Sequence, residues 1–219
     1  PGQIFESNGL YLHLASQLAG AEVLQVAQLP DQRAAIDAAL EQALETADLV
    51  LLSGGVSVGD YDLVGRAIKE QAGGLTFYKV RMKPGKPVAA ARRGNCTFLG
   101  LPGNPASTLV SFELFARAAI LRLAGCTTPH RRLAFAPCVT PLNAGGKRCE
   151  FLRARLSDDG LVPHQRQGSG DLSSLLGVDA LVMRPSDAEA TQAGQRVPYL
   201  ALHGPGSMLA PEAQWAAMS

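Results

Sequence analysis

Three short segments of this chain concentrate residues that suit anion chemistry. The first is Ser53-Gly54-Gly55-Val56-Ser57-Val58-Gly59-Asp60-Tyr61-Asp62. Its glycines let backbone N–H groups approach an anion closely, and a helix start placed after it would add the positive end of a dipole. Asp60 and Asp62 beside such a surface suit a Mg²⁺ ion bridging to a phosphate. The second segment, Lys83-Pro84-Gly85-Lys86-Pro87, holds two lysines on a loop stiffened by two prolines, a fit for an oxyanion or phosphate. The third, Leu101-Pro102-Gly103-Asn104-Pro105-Ala106-Ser107, leads into a helix with Asn104 and Ser107 near its start. Each alone also reads as ordinary structure: a tight turn with a capping aspartate, a solvated basic turn, a simple helix cap. Three such loops at one sheet edge are a less ordinary coincidence.

The elements around these loops alternate. Asn8 can cap a helix with Leu10, Leu14 and Leu18 at helical spacing and Gly20 at its end. Glu22 to Leu29 reads as a strand. Pro30-Asp31 opens a second helix with Ile36, Ala39, Leu40, Ala43 and Leu44 on one face. The nearly continuous apolar run Asp48 to Leu52 predicts a strand buried on both faces. A helix over about Tyr61 to Gln71, a strand from Leu75 to Met82, paired strands Val88 to Arg92 and Thr97 to Leu101, and a helix from about Ala106 to Ala124 follow. Strand–loop–helix repetition of this kind predicts an α/β domain with a doubly wound, mostly parallel sheet over residues 1–126. In such sheets ligands bind beyond the carboxyl ends of the strands, where the three loops fall.

The pattern changes at Gly125, and Thr127-Thr128-Pro129-His130 reads as a linker. Short alternating stretches then predict a small all-β, barrel-like domain over 130–204, with Asp158-Asp159-Gly160 as a hairpin turn. Residues 205–219 lack a pattern and are expected to form a flexible tail.

Bulk properties exclude several classes. The 219 residues are 47% hydrophobic and 18% charged with net charge +1, which suits a globular protein and gives no basic field for nucleic acid. Apolar runs are too short to cross a bilayer and no signal peptide is present, so a cytoplasmic protein without membrane partners is expected. Cys96, Cys126, Cys138 and Cys149 form no C-x-x-C pair, and His13, His130, His164 and His203 have no metal-ligand spacing. Neither a Gly-x-Ser-x-Gly elbow nor a Walker lysine loop occurs.

The three loop motifs in this order resemble the molybdopterin molybdotransferase family, which includes the E domain of gephyrin. Pro1-Gly2-Gln3-Ile4-Phe5-Glu6-Ser7-Asn8 is similar to the opening of that family's molybdopterin-binding domain. The likeness is strong from Pro1 to Gly125 and looser through Arg148-Cys149-Glu150-Phe151 and Gln167-Gly168-Ser169-Gly170. It implies a transferase reaction in which adenylylated molybdopterin and molybdate give molybdenum cofactor and AMP, with Mg²⁺ or a similar ion. Asp62 would serve metal-assisted cleavage of the adenylate, with Asp60 as a second metal ligand. Ser7, Asn8, Gly54, Gly55, Ser57, Gly59, Pro102, Gly103 and Asn104 would hold the pterin nucleotide. Lys83, Lys86, Pro87, Ser107, Arg148 and Ser169 would hold molybdate. The resemblance further implies a homodimer of the full-length protein. Family members carry two further domains ahead of this region, and the start at Pro1 fits a cut from a longer protein or removal of a methionine; poor turnover of this chain alone is expected. Two alternatives remain: the adenylyltransferase of the same pathway, which normally lacks the β domain, and a non-catalytic binding or scaffold module.

Overall fold

The computed structural model describes residues 6–55 and 63–203. The chain divides into two compact units, Pro1–Val80 with Gly85–Cys126, and Arg81–Pro84 with Thr127–Ser219.

In the first unit α1 (Asn8–Leu18), α2 (Arg33–Thr46) and α3 (Leu63–Gln71) accompany β1 (Leu49–Ser53) and β2 (Phe77–Tyr78). The central strands alternate their side chains between two helix layers. Val50, Leu52, Phe98 and Ala91 face α2 and α3 through Ile36, Leu40, Val64, Ala67 and Ile68. Leu49, Leu51, Leu99, Leu101 and Ala90 face the opposite layer, built on Leu12, Phe112, Ala116 and Ile120. Helices thus cover both faces of one sheet, which is why β1 carries almost no polar residue. The sheet order is β1, then β5 (Cys96–Leu101), β4 (Ala89–Arg93) and β2. Among the described strands of this sheet β1–β5 is the parallel pairing, whereas β5–β4 and β4–β2 run antiparallel. The α/β architecture is as expected, but parallel pairing is less extensive than the sequence pattern predicts. Part of the reason is Glu22 to Leu29: it finds no strand partner among the described residues and lies largely exposed. Strand-forming residues without a neighbour to satisfy their N–H and C=O groups do not make a strand.

One orientation that the spacing left open is fixed, and one further expectation is corrected. The leucine stripe of α1 faces outward, with Leu10, Leu14 and Leu18 at 64%, 49% and 88% exposure, while Asn8, Leu12 and Ser16 form the buried stripe. The predicted strand Leu75 to Met82 is broken at Lys79, whose φ is +64°. Its end instead becomes β3 (Met82–Lys83), which pairs in parallel with β7 (Cys149–Ser157) of the second unit. Arg81–Pro84 therefore falls outside the unit expected to span residues 1–126. After β5 the chain enters α4 (Pro105–Ser111) and continues through a π-helical turn (Phe112–Ala116) into α5 (Arg117–Leu123).

The second unit adds β6 (Leu133–Pro137), β8 (Gly160–Pro163), β9 (Ala180–Arg184) and β10 (Arg196–Ala201). The order β7-β9-β10-β6 is antiparallel throughout, and β8 pairs with the far end of β7. A bridge between Cys138 and Leu161, with Val139 N–H donating to Leu161 C=O at 2.9 Å, joins β6 to β8 and closes the ring. Cys138, Ala154, Leu161, Val182, Val197 and Tyr199 fill its interior. Closure removes the exposed edges that a small sheet would otherwise present.

Candidate functional site

The first unit gathers three distant segments at the carboxyl ends of the neighbouring parallel strands β1 and β5. Gly54 N–H donates to Leu101 C=O at 3.1 Å, so the strand pairing runs one residue into the glycine loop. Asn8, at the start of α1, then ties both loops together. Its Nδ2 donates to Ser53 Oγ and to Gly103 C=O, each at 2.8 Å. A carbonyl can only accept, so the amide nitrogen must be the atom facing Gly103. Asn8 is therefore a cross-loop tie rather than the expected cap. The N-cap residue is Ser7, without a side-chain cap bond, and the Glu6 carboxylate accepts from Gly9 N–H at 2.9 and 3.0 Å.

Glycine is required where these loops meet. A Cβ on Gly103 would sit 3.2 Å from Gly54 Cα, and one on Gly55, at φ +64°, would sit 2.7 Å from Val64 Cγ2. The third loop is held from below by Thr108, whose hydroxyl donates to Pro102 C=O at 2.7 Å and approaches Asn104 C=O at 3.1 Å. Pro105 occupies the first turn of α4, where its missing N–H costs nothing. Ser107 is buried in that turn, and the Ser111 hydroxyl one turn further finds no hydrogen-bond partner among the described residues. The structure thus brings together Asn8, Gly54, Gly55, Pro102, Gly103, Asn104 and Ser107, with Ser7 next in the chain to Asn8. Ser53 and Thr108, which hold the loops in place, were missed by sequence reasoning; both are hydroxyl residues within or one residue beyond the singled-out segments. Ser57, Gly59, Asp60 and Asp62 lie outside the described residues. Among the described residues no group of three or more His, Cys, Asp or Glu could hold a metal.

Lys86 and Pro87 belong to the first unit, where Val80 N–H donates to Lys86 C=O at 3.0 Å and the lysine side chain is exposed. Lys83 belongs to the second. There the β3–β7 pairing aligns Met82 with Cys149 and Lys83 with Glu150, placing Lys83 Nζ 3.1 Å from the Glu150 carboxylate. Arg148 Nη1 reaches Met82 C=O at 3.5 Å. Residues 67 apart in sequence are so brought side by side by a two-residue strand. Ser169 sits in a loop that is tied to β7: Gln167 Nε2 donates to Arg153 C=O and His164 C=O at 2.9 and 2.8 Å, and its Oε1 accepts from Arg153 N–H.

Burial pushes the Cys149 thiol up to about 11, with Glu150 adding to the rise, and burial also raises Cys96 and Cys138. Thiols held protonated are poor nucleophiles and metal ligands. Alkylation of Cys149 in the native chain is accordingly expected to stay slow at about pH 8 and to accelerate only as pH approaches its raised value; mass spectrometry of iodoacetamide-treated protein checks this. No helix among the described residues is long and apolar enough to cross a membrane.

Residues 1–122 match the family described as "Probable molybdopterin binding domain", and residues 136–202 match "MoeA C-terminal region (domain IV)". "Molybdopterin molybdenumtransferase 2" of Mycobacterium tuberculosis (strain ATCC 25618 / H37Rv) is 34% identical over 204 residues, 90% of this chain and 50% of that protein. "Molybdopterin molybdenumtransferase" of Haemophilus influenzae is 41% identical over 124 residues, 57% of this chain and 30% of that protein. Among solved structures, the molybdopterin biosynthesis MoeA protein of Pyrococcus horikosii superposes with a TM-score of 0.79 at 29% identity, covering 93% of this chain and 50% of that one. The chain spans about half the length of the Mycobacterium relative and of the Pyrococcus protein, and its match covers 30% of the Haemophilus relative. The β-rich second unit carries the MoeA match, the feature that separates this chain from the adenylyltransferase alternative. With glycine loops meeting at the β1 and β5 ends, a closed β unit after them, and matches covering both, the chain belongs to the molybdopterin-binding domain family and continues into a segment matching the MoeA C-terminal region.

Proposed function

We propose that this chain is the nucleotide- and oxyanion-binding part of a molybdopterin molybdotransferase, which takes adenylylated molybdopterin and molybdate to molybdenum cofactor and AMP. The observation that carries the reading is the Asn8 tie between Ser53 and Gly103. It fixes the roots of two glycine-containing loops at the ends of parallel strands, with the α4 start beside them, an arrangement suited to offering backbone N–H groups to a phosphate. Ser7, Asn8, Gly54, Gly55, Ser57, Gly59, Pro102, Gly103 and Asn104 are assigned to the pterin nucleotide. Molybdate is assigned to Lys86, Pro87 and Ser107 in the first unit and to Lys83, Arg148 and Ser169 in the second, the lysines, arginine and serines supplying charge and hydroxyls for an oxyanion. Asp60 and Asp62 are assigned to Mg²⁺, which supplies charge neutralisation at the adenylate phosphate when bound. Matches to proteins named molybdopterin molybdenumtransferase support the reading. The longer protein is taken to act as a homodimer, as the resemblance implies.

The test is a pair of separate titrations of the chain, one with adenylylated molybdopterin and one with molybdate. Both should saturate. Absence of nucleotide binding would refute the reading.

Lys86→Ala should weaken molybdate more than the nucleotide. Its ammonium has no side-chain partner among the described residues, whereas Lys83 already meets Glu150. Loss of one charge-assisted contact is expected to cost about 1.5 kcal/mol, roughly tenfold in affinity. An unchanged molybdate titration in this variant would remove Lys86 from the site.

A further inference from the structure

The second unit holds a guanidinium where an apolar side chain would be the ordinary choice. Arg153 lies on β7 with 0% exposure, the largest fully buried side chain of the described residues. Among the described residues no carboxylate forms an ion pair with it, although the Asp171 charge in the stretch it bonds favours its protonated form. Its partners all come from one stretch of chain: Nε donates to Ser174 Oγ at 3.1 Å, and Nη2 donates to Gly168 C=O at 3.1 Å and Arg166 C=O at 3.4 Å. Nη1 is buried without a hydrogen-bond partner among the described residues. Gln167, in the same stretch, clasps the Arg153 backbone through both its amide atoms. Burying an arginine without a counter-ion opposes folding, and a hydrophobic side chain of similar volume is often the more stable choice. Desolvation lowers the Arg153 pKa, the signature of that cost. Arg131 and Arg184, the other buried arginines, also bond backbone carbonyls, but of other segments: Ala201 for Arg131, Asn143 and Glu189 for Arg184.

We propose that Arg153 is a positioning residue for an oxyanion-binding loop: it holds residues 166–174 so that Ser169, between the bonded Gly168 carbonyl and the bonded Ser174 hydroxyl, is presented in one conformation. This rests on the assignment of Ser169 to molybdate. The planar fork is what the role needs. Nε and Nη2 point at acceptors from both ends of the loop at once, which a single ammonium cannot do. Because the carbonyls of Arg166 and Gly168 are turned inward to the guanidinium, they are kept from facing an incoming anion, and the buried positive charge lies beneath the loop.

The test is a double-mutant cycle on the full chain, read by calorimetric titration with molybdate and by amide hydrogen exchange. Arg153→Lys should weaken molybdate about tenfold, and Ser169→Ala by a similar factor. The double variant should be no weaker than the poorer single one, because a displaced loop has already lost the serine. Exchange should rise in residues 166–174 while the β7–β9 amides keep their protection. Should Arg153→Lys fail to fold, Ser174→Ala removes the Nε acceptor, together with that hydroxyl's own bond to Asp171 C=O, and should weaken molybdate several-fold with the same local rise in exchange. Wild-type molybdate affinity in Arg153→Lys, or in Ser174→Ala where that variant is the one that folds, would overturn the positioning role while a loss in Ser169→Ala left the molybdate assignment standing. Losses that multiply in the double variant would likewise overturn it. Unchanged affinity in Ser169→Ala would overturn both.

Discussion

Asn8→Asp is expected to weaken adenylylated molybdopterin binding by roughly thirtyfold, about 2 kcal/mol, although the two side chains are almost the same shape. The native Nδ2 meets one acceptor that can also donate, Ser53 Oγ, and one that can only accept, Gly103 C=O, both at 2.8 Å. An oxygen in its place still pairs with the serine but faces the carbonyl with like charge. Asn8 is buried, so water screens little of that repulsion. The two loops must separate, and the N–H groups offered to the phosphate move with them. The introduced negative charge opposes the anion as well. A pH dependence follows with a definite sign. Burial and the carbonyl raise the introduced carboxyl above its ordinary value of about 3.9. Protonated, it can donate to Gly103, so the defect is absent below the ordinary value, grows as pH rises towards the folded-state value, and is constant above it. Titrations at about pH 8 and about pH 5 should therefore show the gap to wild type narrowing at the lower pH. A gap that is constant, or an unaffected affinity, would show that Asn8 does not set the cradle.

Gly160→Ala is expected to destabilise the second unit by about 3 kcal/mol or more. Gly160 follows the Asp158-Asp159 turn at φ +128°, a conformation that side chains rarely adopt, and a Cβ there would lie 2.3 Å from the Pro137 carbonyl oxygen. That oxygen belongs to β6 at the point where the ring closes, so relief of the clash draws β6 from β8 and weakens the Val139–Leu161 bond. Gly194 supplies the comparison: its φ is +80°, but a Cβ would meet nothing within 4 Å. Gly194→Ala should therefore cost only the left-handed penalty, about 1–2 kcal/mol. Denaturant unfolding of both variants separates backbone strain from collision. Equal losses would mean that β6 and β8 do not approach as described.

The three loops were legible because glycine and proline punctuate a sequence locally, and their chemistry needs no knowledge of distant pairing. Strand β1 and the Asp158-Asp159-Gly160 turn were legible for the same reason. What the loops do to each other was not. Asn8 reads equally well as a helix cap, and nothing within a few residues says that its amide reaches Ser53 and Gly103, 45 and 95 positions away. The outward stripe of α1 shows a related limit. A spacing of four identifies one face of a helix, but Leu10, Leu14 and Leu18 alone do not say which face meets the sheet. Strand β3 has two residues and pairs with Cys149 and Glu150, so its place in the second unit depends on a partner 67 residues on. Arg153 was overlooked because an arginine in an alternating strand reads as an outward residue; only its buried bonds to residues 166–174 reveal otherwise.

Single-turnover release of AMP tests the central claim most directly. The chain in excess over adenylylated molybdopterin, with Mg²⁺ present, is mixed with and without molybdate, and AMP is followed by chromatography. The account predicts slow AMP formation that requires molybdate, with no adenylylated molybdopterin made from ATP and molybdopterin. AMP formed equally without molybdate, or ATP-driven adenylylation in its place, would contradict it.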